Sequence, residues 1–116
     1  MSISKFEDLI AWQKSQDIAV VIYEEFRESR DFGFKDQICR AVVSISNNIA
    51  EGFERKGKKE FKQYLHISLG SASEVKSMIY LAGRLKYITQ GEQEVMLQNI
   101  DEVCRLVYGL IRSIKT

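Results

Sequence analysis

The chain has 116 residues, of which 45% are hydrophobic and 28% charged, with a net charge of +1 and no proline. This length suits one domain over residues 1–116 with its own hydrophobic core. The lack of proline argues against a β-sandwich or barrel, whose turns and edges commonly use it. The small net charge means that an anionic partner would have to be met by a local patch.

Apolar residues at steps of three and four predict a first helix over about residues 5–30. Ser4 is expected to cap it, because Glu7 follows three residues later, at the spacing of a capping box. Residues 31–34 (Asp-Phe-Gly-Phe) are expected to end it. The expected apolar stripe comprises Phe6, Leu9, Trp12 or Gln13, Ala19 or Val20, Tyr23 and Phe26.

The same periodicity predicts three further helices, over about residues 35–54, 58–88 and 92–114. Helices joined by such short connections fold back as antiparallel neighbours, so the sequence predicts an all-α, up-down-up-down four-helix bundle. Four glycines lie inside the predicted helices, where each costs roughly 1 kcal/mol relative to alanine. Close approach of neighbouring helices is the expected reason for these glycines, which are Gly52, Gly70, Gly83 and Gly109.

The second helix carries a polar stripe beside its apolar one, and the third helix has polar residues that could face it. We call these residues the polar seam: Gln37, Arg40, Ser44, Asn47 and Glu51, with Ser71 and Glu74 on the third helix. Their position relative to the intervening turn predicts a buried Arg40–Glu74 ion pair. Three interpretations are open: a solvated face, a catalytic site, or a polar network between helices or subunits that fixes register and oligomeric state, which we favour.

The connection between the second and third helices is rich in basic residues. Residues 54–62 hold five basic side chains against two acidic ones, a net charge of +3, which leaves −2 for the rest of the chain. The basic residues are Arg55, Lys56, Lys58, Lys59 and Lys62. They predict a nucleic-acid contact surface, although a merely solvated connection would look the same. No aromatic residues alternate with them, so sequence-specific binding of single strands is not expected.

No pattern typical of catalysis or metal binding is present. His66 is the only histidine, and no Cys, His or carboxylate cluster has metal-ligand spacing. Neither a phosphate-binding glycine loop nor a strained nucleophile turn occurs. We therefore expect no catalytic residue, cofactor, metal or small-molecule substrate. We expect Cys39 and Cys104 to be small buried hydrophobic residues, with a disulfide as the less favoured alternative.

No signal peptide or membrane span is recognisable in the sequence, which predicts a cytoplasmic protein.

The stretch 37–53, Gln-Ile-Cys-Arg-Ala-Val-Val-Ser-Ile-Ser-Asn-Asn-Ile-Ala-Glu-Gly-Phe, resembles the signature of a known family. These are the four-helix-bundle proteins encoded in intervening sequences of bacterial 23S rRNA genes. The resemblance extends through Lys58-Lys59-Glu60-Phe61 and Glu74. Ser46 stands where the family usually has proline, which should weaken any kink there. A related protein, the accessory variability determinant of diversity-generating retroelements, is a pentameric basic barrel that binds reverse transcriptase and RNA.

The resemblance implies a bacterial homo-oligomer, with a pentamer as the expected form. Together with the basic connection, it leads to the hypothesis of a non-catalytic accessory factor that binds structured RNA or a nucleic-acid-bound protein. The alternative is a structural or protein-interaction module without a nucleic-acid role. Because the RNA function comes from a relative with the same fold, it is an analogy that requires its own test.

Overall fold

The computed structural model describes residues 3–115, and the regular structure in that range is helical. A short 3₁₀ turn (Phe6–Asp8) precedes four helices: α1 (Ile10–Phe26), α2 (Phe32–Phe53), α3 (Lys58–Arg84) and α4 (Gln90–Ser113). Each helix packs against its neighbour along the chain, and α4 packs back against α1. The predicted all-α four-helix bundle is confirmed. It measures 44 × 23 × 19 Å.

The α1–α2 connection differs from the prediction. The Asp31 side chain accepts a hydrogen bond from the backbone N–H of Phe34, at 3.1 Å, and so caps the N-terminus of α2. The Phe-Gly-Phe segment that was expected to lie in the loop is therefore the first turn of α2, and α1 ends at Phe26, four residues earlier than predicted. An aspartate at this position satisfies one of the free N–H groups at the start of a helix.

The first helix also begins later than predicted and buries a different face. Ser4 does not cap it, because the 3₁₀ turn intervenes and α1 starts after Leu9. Val20 and Tyr23, expected in the core, are 56% and 47% exposed. Residues 18–23 are apolar around the whole helix, so periodicity could not select one face. The buried face of α1 is determined by its contacts with α2 and α4. The buried residues of α1 are Ala11, Ser15, Ile18, Ile22 and Phe26.

The α3–α4 connection lies earlier in the chain than predicted and is longer, residues 85–89 instead of 89–91. Helix α3 stops at Arg84, and Lys86 adopts a left-handed backbone conformation with φ of 63°. The backbone N–H of Tyr87 returns to the carbonyl of Ala82, at 2.9 Å, which closes the helix end. Thr89, expected in a loop, forms a full capping box with Glu92, and α4 therefore starts at Gln90.

The periodic apolar residues from which α2 and α4 were predicted form much of the core. Ile38, Val42, Ile45 and Ile49 of α2 are completely buried, as is Ile100 of α4. Cross-helix hydrogen bonds fix the antiparallel register: Gln16 to Ser46 for α1–α2, Ser44 to Ser71 for α2–α3, and Lys76 to Asp101 for α3–α4. Helix α2 continues without interruption through Ser46.

The four glycines that were predicted to lie inside helices differ in their environments. A Cβ atom on Gly52 would lie 2.5 Å from the Cβ of Tyr64 on α3, and one on Gly83 would overlap the side chain of Gln93 on α4. Gly70 has open space around it, and Gly109 has only the Arg112 side chain, at 3.9 Å. The close-approach explanation therefore holds for Gly52 and is wrong for Gly70 and Gly109; at Gly83 the neighbour is the flexible end of the Gln93 side chain, which can move aside.

Candidate interaction surfaces

The polar seam runs along the outer side of α2, where only its middle is packed against α3. The Ser44 and Ser71 hydroxyls form a hydrogen bond of 2.8 Å, and both residues are half-buried. Asn48 donates from its amide to the Ser44 carbonyl at 2.8 Å and to the Ser44 hydroxyl at 2.9 Å. These three side chains form a small polar network between α2 and α3 in which each member has a partner.

The expected Arg40–Glu74 ion pair is not formed among residues 3–115. The Gln37 amide instead donates to the Glu74 carboxylate at 3.2 Å, and this contact is exposed. Arg40 and Glu74 are exposed too, so the predicted burial is also wrong. The reason is the position of Arg40 on the outer ridge of α2, where it borders a groove on each side rather than the contact with α3.

Two grooves follow the flanks of α2 and meet at Arg40 and Ser44. The α2–α3 groove has a volume of about 440 Å³ and is bordered by Gln37 and Glu74. The α1–α2 groove has a volume of about 540 Å³ and is bordered by Tyr23 and Asn47. Polar side chains thus share this face with partly exposed apolar ones, a mixture common in protein interfaces.

The individual contacts of several polar residues that hold the helices together were not predicted. Buried Ser68 of α3 donates to the Ile45 carbonyl of α2 at 2.9 Å. Buried Ser46, at the usual proline position, accepts from the Gln16 amide at 3.1 Å. Asn48 could have been found from its position four residues after Ser44, one helical turn along. The contacts of Ser46 and Ser68 depend on neighbouring helices, and the sequence gives no local signal for them.

The basic residues of 54–62 fall into three groups. Arg55 is held in place: its guanidinium donates to the Tyr64 hydroxyl at 2.7 Å and to the Glu51 carboxylate at 3.3 Å, and lies 5.1 Å from the centre of the Tyr64 ring. Lys62 is half-buried. Lys56, Lys58 and Lys59 are exposed and, within residues 3–115, form no ion pair.

The start of α3 adds to the positive potential of these lysines. Lys58 and Lys59 occupy its first turn, and the preceding Gly57 provides no side-chain cap for the free N–H groups there. The N-terminus of a helix carries a partial positive charge, which attracts anions and disfavours lysine. The two lysines therefore reinforce that charge, while Glu60 in the same turn partly offsets it, which leaves the side chains of this turn with a net charge of +1.

The remaining candidate residues do not assemble into a reactive or metal site. His66 is exposed, and no three His, Cys, Asp or Glu residues within the described range could together hold a metal ion. Cys39 is buried and Cys104 half-buried; both are free thiols, so the disulfide alternative is wrong. Burial raises the pKa of both thiols, which lowers their reactivity. No helix within residues 3–115 is long and apolar enough to cross a membrane.

Comparisons with known proteins identify relatives in sequence and in structure. The model of a family described as 23S rRNA-intervening sequence protein matches residues 7–109. A solved structure of a protein with unknown function, from the S23 ribosomal protein family of Bacteroides thetaiotaomicron VPI-5482, is 29% identical and superposes with a TM-score of 0.82. The match covers 88% of this chain and 98% of that one. A comparison with curated proteins gives no match.

Proposed function

The chain belongs to the 23S rRNA-intervening sequence protein family, and we propose that it is a non-catalytic, homo-oligomeric accessory factor that binds RNA or a ribonucleoprotein. The observation that carries the proposal is the cluster of Lys56, Lys58 and Lys59 at the uncapped start of α3, which is exposed and forms no ion pair with the residues that the structure describes. A lysine without a carboxylate partner can neutralise a phosphate without first losing another interaction.

Self-association would strengthen this weak individual site. One copy contributes a net charge of +3 from residues 54–62, so five copies in a ring would bring 15 positive charges to one side. The face around Arg40, with exposed Val20 and Tyr23 beside the polar seam, supports an interface between copies. Five chains of 13.4 kDa correspond to about 67 kDa, which light scattering at tens of micromolar distinguishes from a monomer.

The RNA proposal is tested by reversing charges at the cluster. Lys58→Glu with Lys59→Glu changes the net charge by −4 and should abolish retention of a labelled hairpin RNA in a low-salt gel shift. Lys14→Glu with Lys86→Glu makes the same change at exposed positions outside the cluster and should retain most binding. Absence of retention by the wild type would refute RNA binding, and equal loss in both double variants would refute the role of the cluster.

A second candidate function is a protein-interaction module without a nucleic-acid role. It is favoured by the exposed apolar side chains beside the α1–α2 groove, since such side chains are a feature of protein-binding surfaces. A pull-down that recovers the same protein partner before and after nuclease treatment, combined with no RNA retention, would establish this function in place of the first.

A further inference from the structure

Three separate segments of the chain meet at the end of the bundle that carries the α2–α3 connection. The 3₁₀ turn Phe6–Asp8 packs against α2 as well as α1. The Gln16–Ser46 contact sets the antiparallel register of α1 and α2, which brings Lys5 to the level of the connection. The Lys76–Asp101 contact similarly brings the last turn of α4 level with the first turns of α3. We call this region the basic end: residues 3–8, 51–62 and 112–115.

The basic end is positively charged and the rest of the molecule is not. It holds eight basic residues against five acidic ones, a net charge of +3. The basic residues are Lys5, Arg55, Lys56, Lys58, Lys59, Lys62, Arg112 and Lys115. The opposite end, residues 24–36 and 84–94, holds five basic and seven acidic residues, a net charge of −2, and the middle is neutral. An anionic polymer would therefore approach one end of the bundle only.

One of the five carboxylates at the basic end is engaged in an ion pair: Glu51 pairs with Arg55 at 3.3 Å. A paired carboxylate opposes an incoming phosphate less than a free one would. Lys5 and Lys115 lie outside the helices, are exposed, and form no ion pair within residues 3–115.

The aromatic rings within the basic end are occupied by contacts within the protein, whereas Tyr108, one turn before Arg112 on α4, is 50% exposed. Phe6 meets Trp12 edge-on, with ring centres 5.3 Å apart, and Phe53 meets Phe61 in the same way at 5.8 Å. The Tyr64 ring is covered by the Arg55 guanidinium. The most exposed aromatic side chain among the described residues is Phe32, at 67%, and it lies at the opposite end.

These features distinguish between the two common ways of binding RNA. Proteins that bind single strands combine a basic groove with exposed rings on which bases stack. Double-stranded RNA is bound through phosphates and 2′-hydroxyls, largely by shape. The basic end offers cations from three segments across a bundle section of 23 × 19 Å, with its rings already packed. That arrangement can contact phosphates of both strands, and the three rings within the basic end (Phe6, Phe53 and Phe61) are packed against other rings.

We infer that the basic end binds the phosphate backbone of double-stranded RNA, and that Lys5, Arg112 and Lys115 take part together with the lysines of the α2–α3 connection. The inference rests on the proposed RNA-binding function and adds to it the structural class of the RNA and three contacts from the two ends of the chain.

Fluorescence anisotropy with two labelled RNAs tests the inference. One is a hairpin with a stem of about 16 base pairs, and the other is an unstructured strand with the same number of phosphates. The wild type should bind the hairpin more tightly, with an affinity that falls steeply between about 50 and 200 mM salt. The variant with Lys5→Glu and Lys115→Glu changes residues outside the four helices and should weaken hairpin binding. The slope of its log affinity against log salt concentration should also become shallower, by the contribution of about two phosphate contacts.

Each alternative outcome refutes a different statement. Equal or tighter binding of the unstructured strand would overturn the duplex inference and leave the proposed function standing. Unchanged hairpin binding by the Lys5→Glu, Lys115→Glu variant, when Lys58→Glu with Lys59→Glu weakens it, would overturn the three-segment surface. The Lys14→Glu, Lys86→Glu variant controls for net charge. Failure of the wild type to bind either RNA would overturn the inference and the proposed function together.

Discussion

Gly52 is the position where replacing a single hydrogen with a methyl group should most clearly disturb the bundle. In Gly52→Ala, the new Cβ would lie 2.5 Å from the Cβ of Tyr64 and 3.1 Å from the Phe61 ring, whereas ordinary contact begins at 3.4 Å. The Tyr64 Cβ is attached directly to the backbone and cannot rotate away. Helices α2 and α3 would therefore have to separate locally by 0.9 Å, the difference between 3.4 and 2.5 Å.

The magnitude follows from two opposing effects. Alanine gains roughly 1 kcal/mol over glycine in a helix interior. Overpacking of a well-filled core typically costs about 1–3 kcal/mol. Gly70→Ala is the matched control, because Gly70 also lies inside a helix but has no atom within 4 Å of the position that its new methyl group would take. Gly70→Ala should therefore show only the stabilisation from the higher helix propensity of alanine. The difference between the two variants isolates the packing cost, which we expect to be about 1–3 kcal/mol.

Urea denaturation followed by circular dichroism measures both variants against the wild type, at one protein concentration, because self-association would also contribute to the apparent stability. Gly70→Ala should unfold at a higher urea concentration than the wild type, and Gly52→Ala at a lower one than Gly70→Ala. If Gly52→Ala stabilises the protein as much as Gly70→Ala does, the close approach of α2 and α3 does not constrain this position.

Two further predictions concern the junction of α3 and α4. Thr89→Ala removes the hydroxyl that caps α4 and should reduce the unfolding free energy by about 1 kcal/mol, whereas Thr89→Ser should retain it; thermal unfolding of both variants tests the cap. Burial and the neighbouring Glu92 raise the pKa of Glu25, so its charged form opposes folding at neutral pH. Glu25→Gln should therefore raise the Tm at pH 7, and the gain should shrink as the pH falls through the raised pKa and vanish well below 4.5, the ordinary pKa of glutamate. An equal gain in Tm at pH 7 and at a pH well below 4.5 would contradict this origin.

The predictability of each helix from the sequence depended on how its apolar residues are distributed. In α4 the residues between Met96, Ile100, Val103 and Val107 are largely polar, so only one face could be buried, and that face is buried. In α1 the run Ile18–Tyr23 offers apolar residues in every direction. The face was then selected by tertiary contacts, which a single sequence does not contain. The Asp31 cap, by contrast, was present in the sequence as a favourable N-cap residue directly before Phe32.

The basic surface was partly predictable for a similar reason. Residues 54–62 are adjacent in sequence, and their shared charge is visible without a fold. Lys5, Arg112 and Lys115 join them only because the bundle returns both ends of the chain to the same side. The engagement of Arg55 by Tyr64, nine residues later, also depends on the turn between α2 and α3. The sequence therefore shows a basic segment, and the fold determines which of its side chains remain accessible to an anionic partner.

Some residues of the polar seam form hydrogen bonds within the bundle, and others are exposed and have no evident role in its stability. Ser44, Asn48 and Ser71 satisfy one another between α2 and α3, so their polarity is explained within one chain. Asn47 and Arg40 are exposed, and asparagine at an exposed helix position is a weaker helix former than alanine or lysine. Asn47 therefore adds little to the stability of the single bundle. Together with the adjoining grooves, Asn47 and Arg40 define the part of the seam that a second chain could use. The proposed RNA surface at the basic end lies elsewhere, so the proposed assembly and RNA binding would use different surfaces of the same chain.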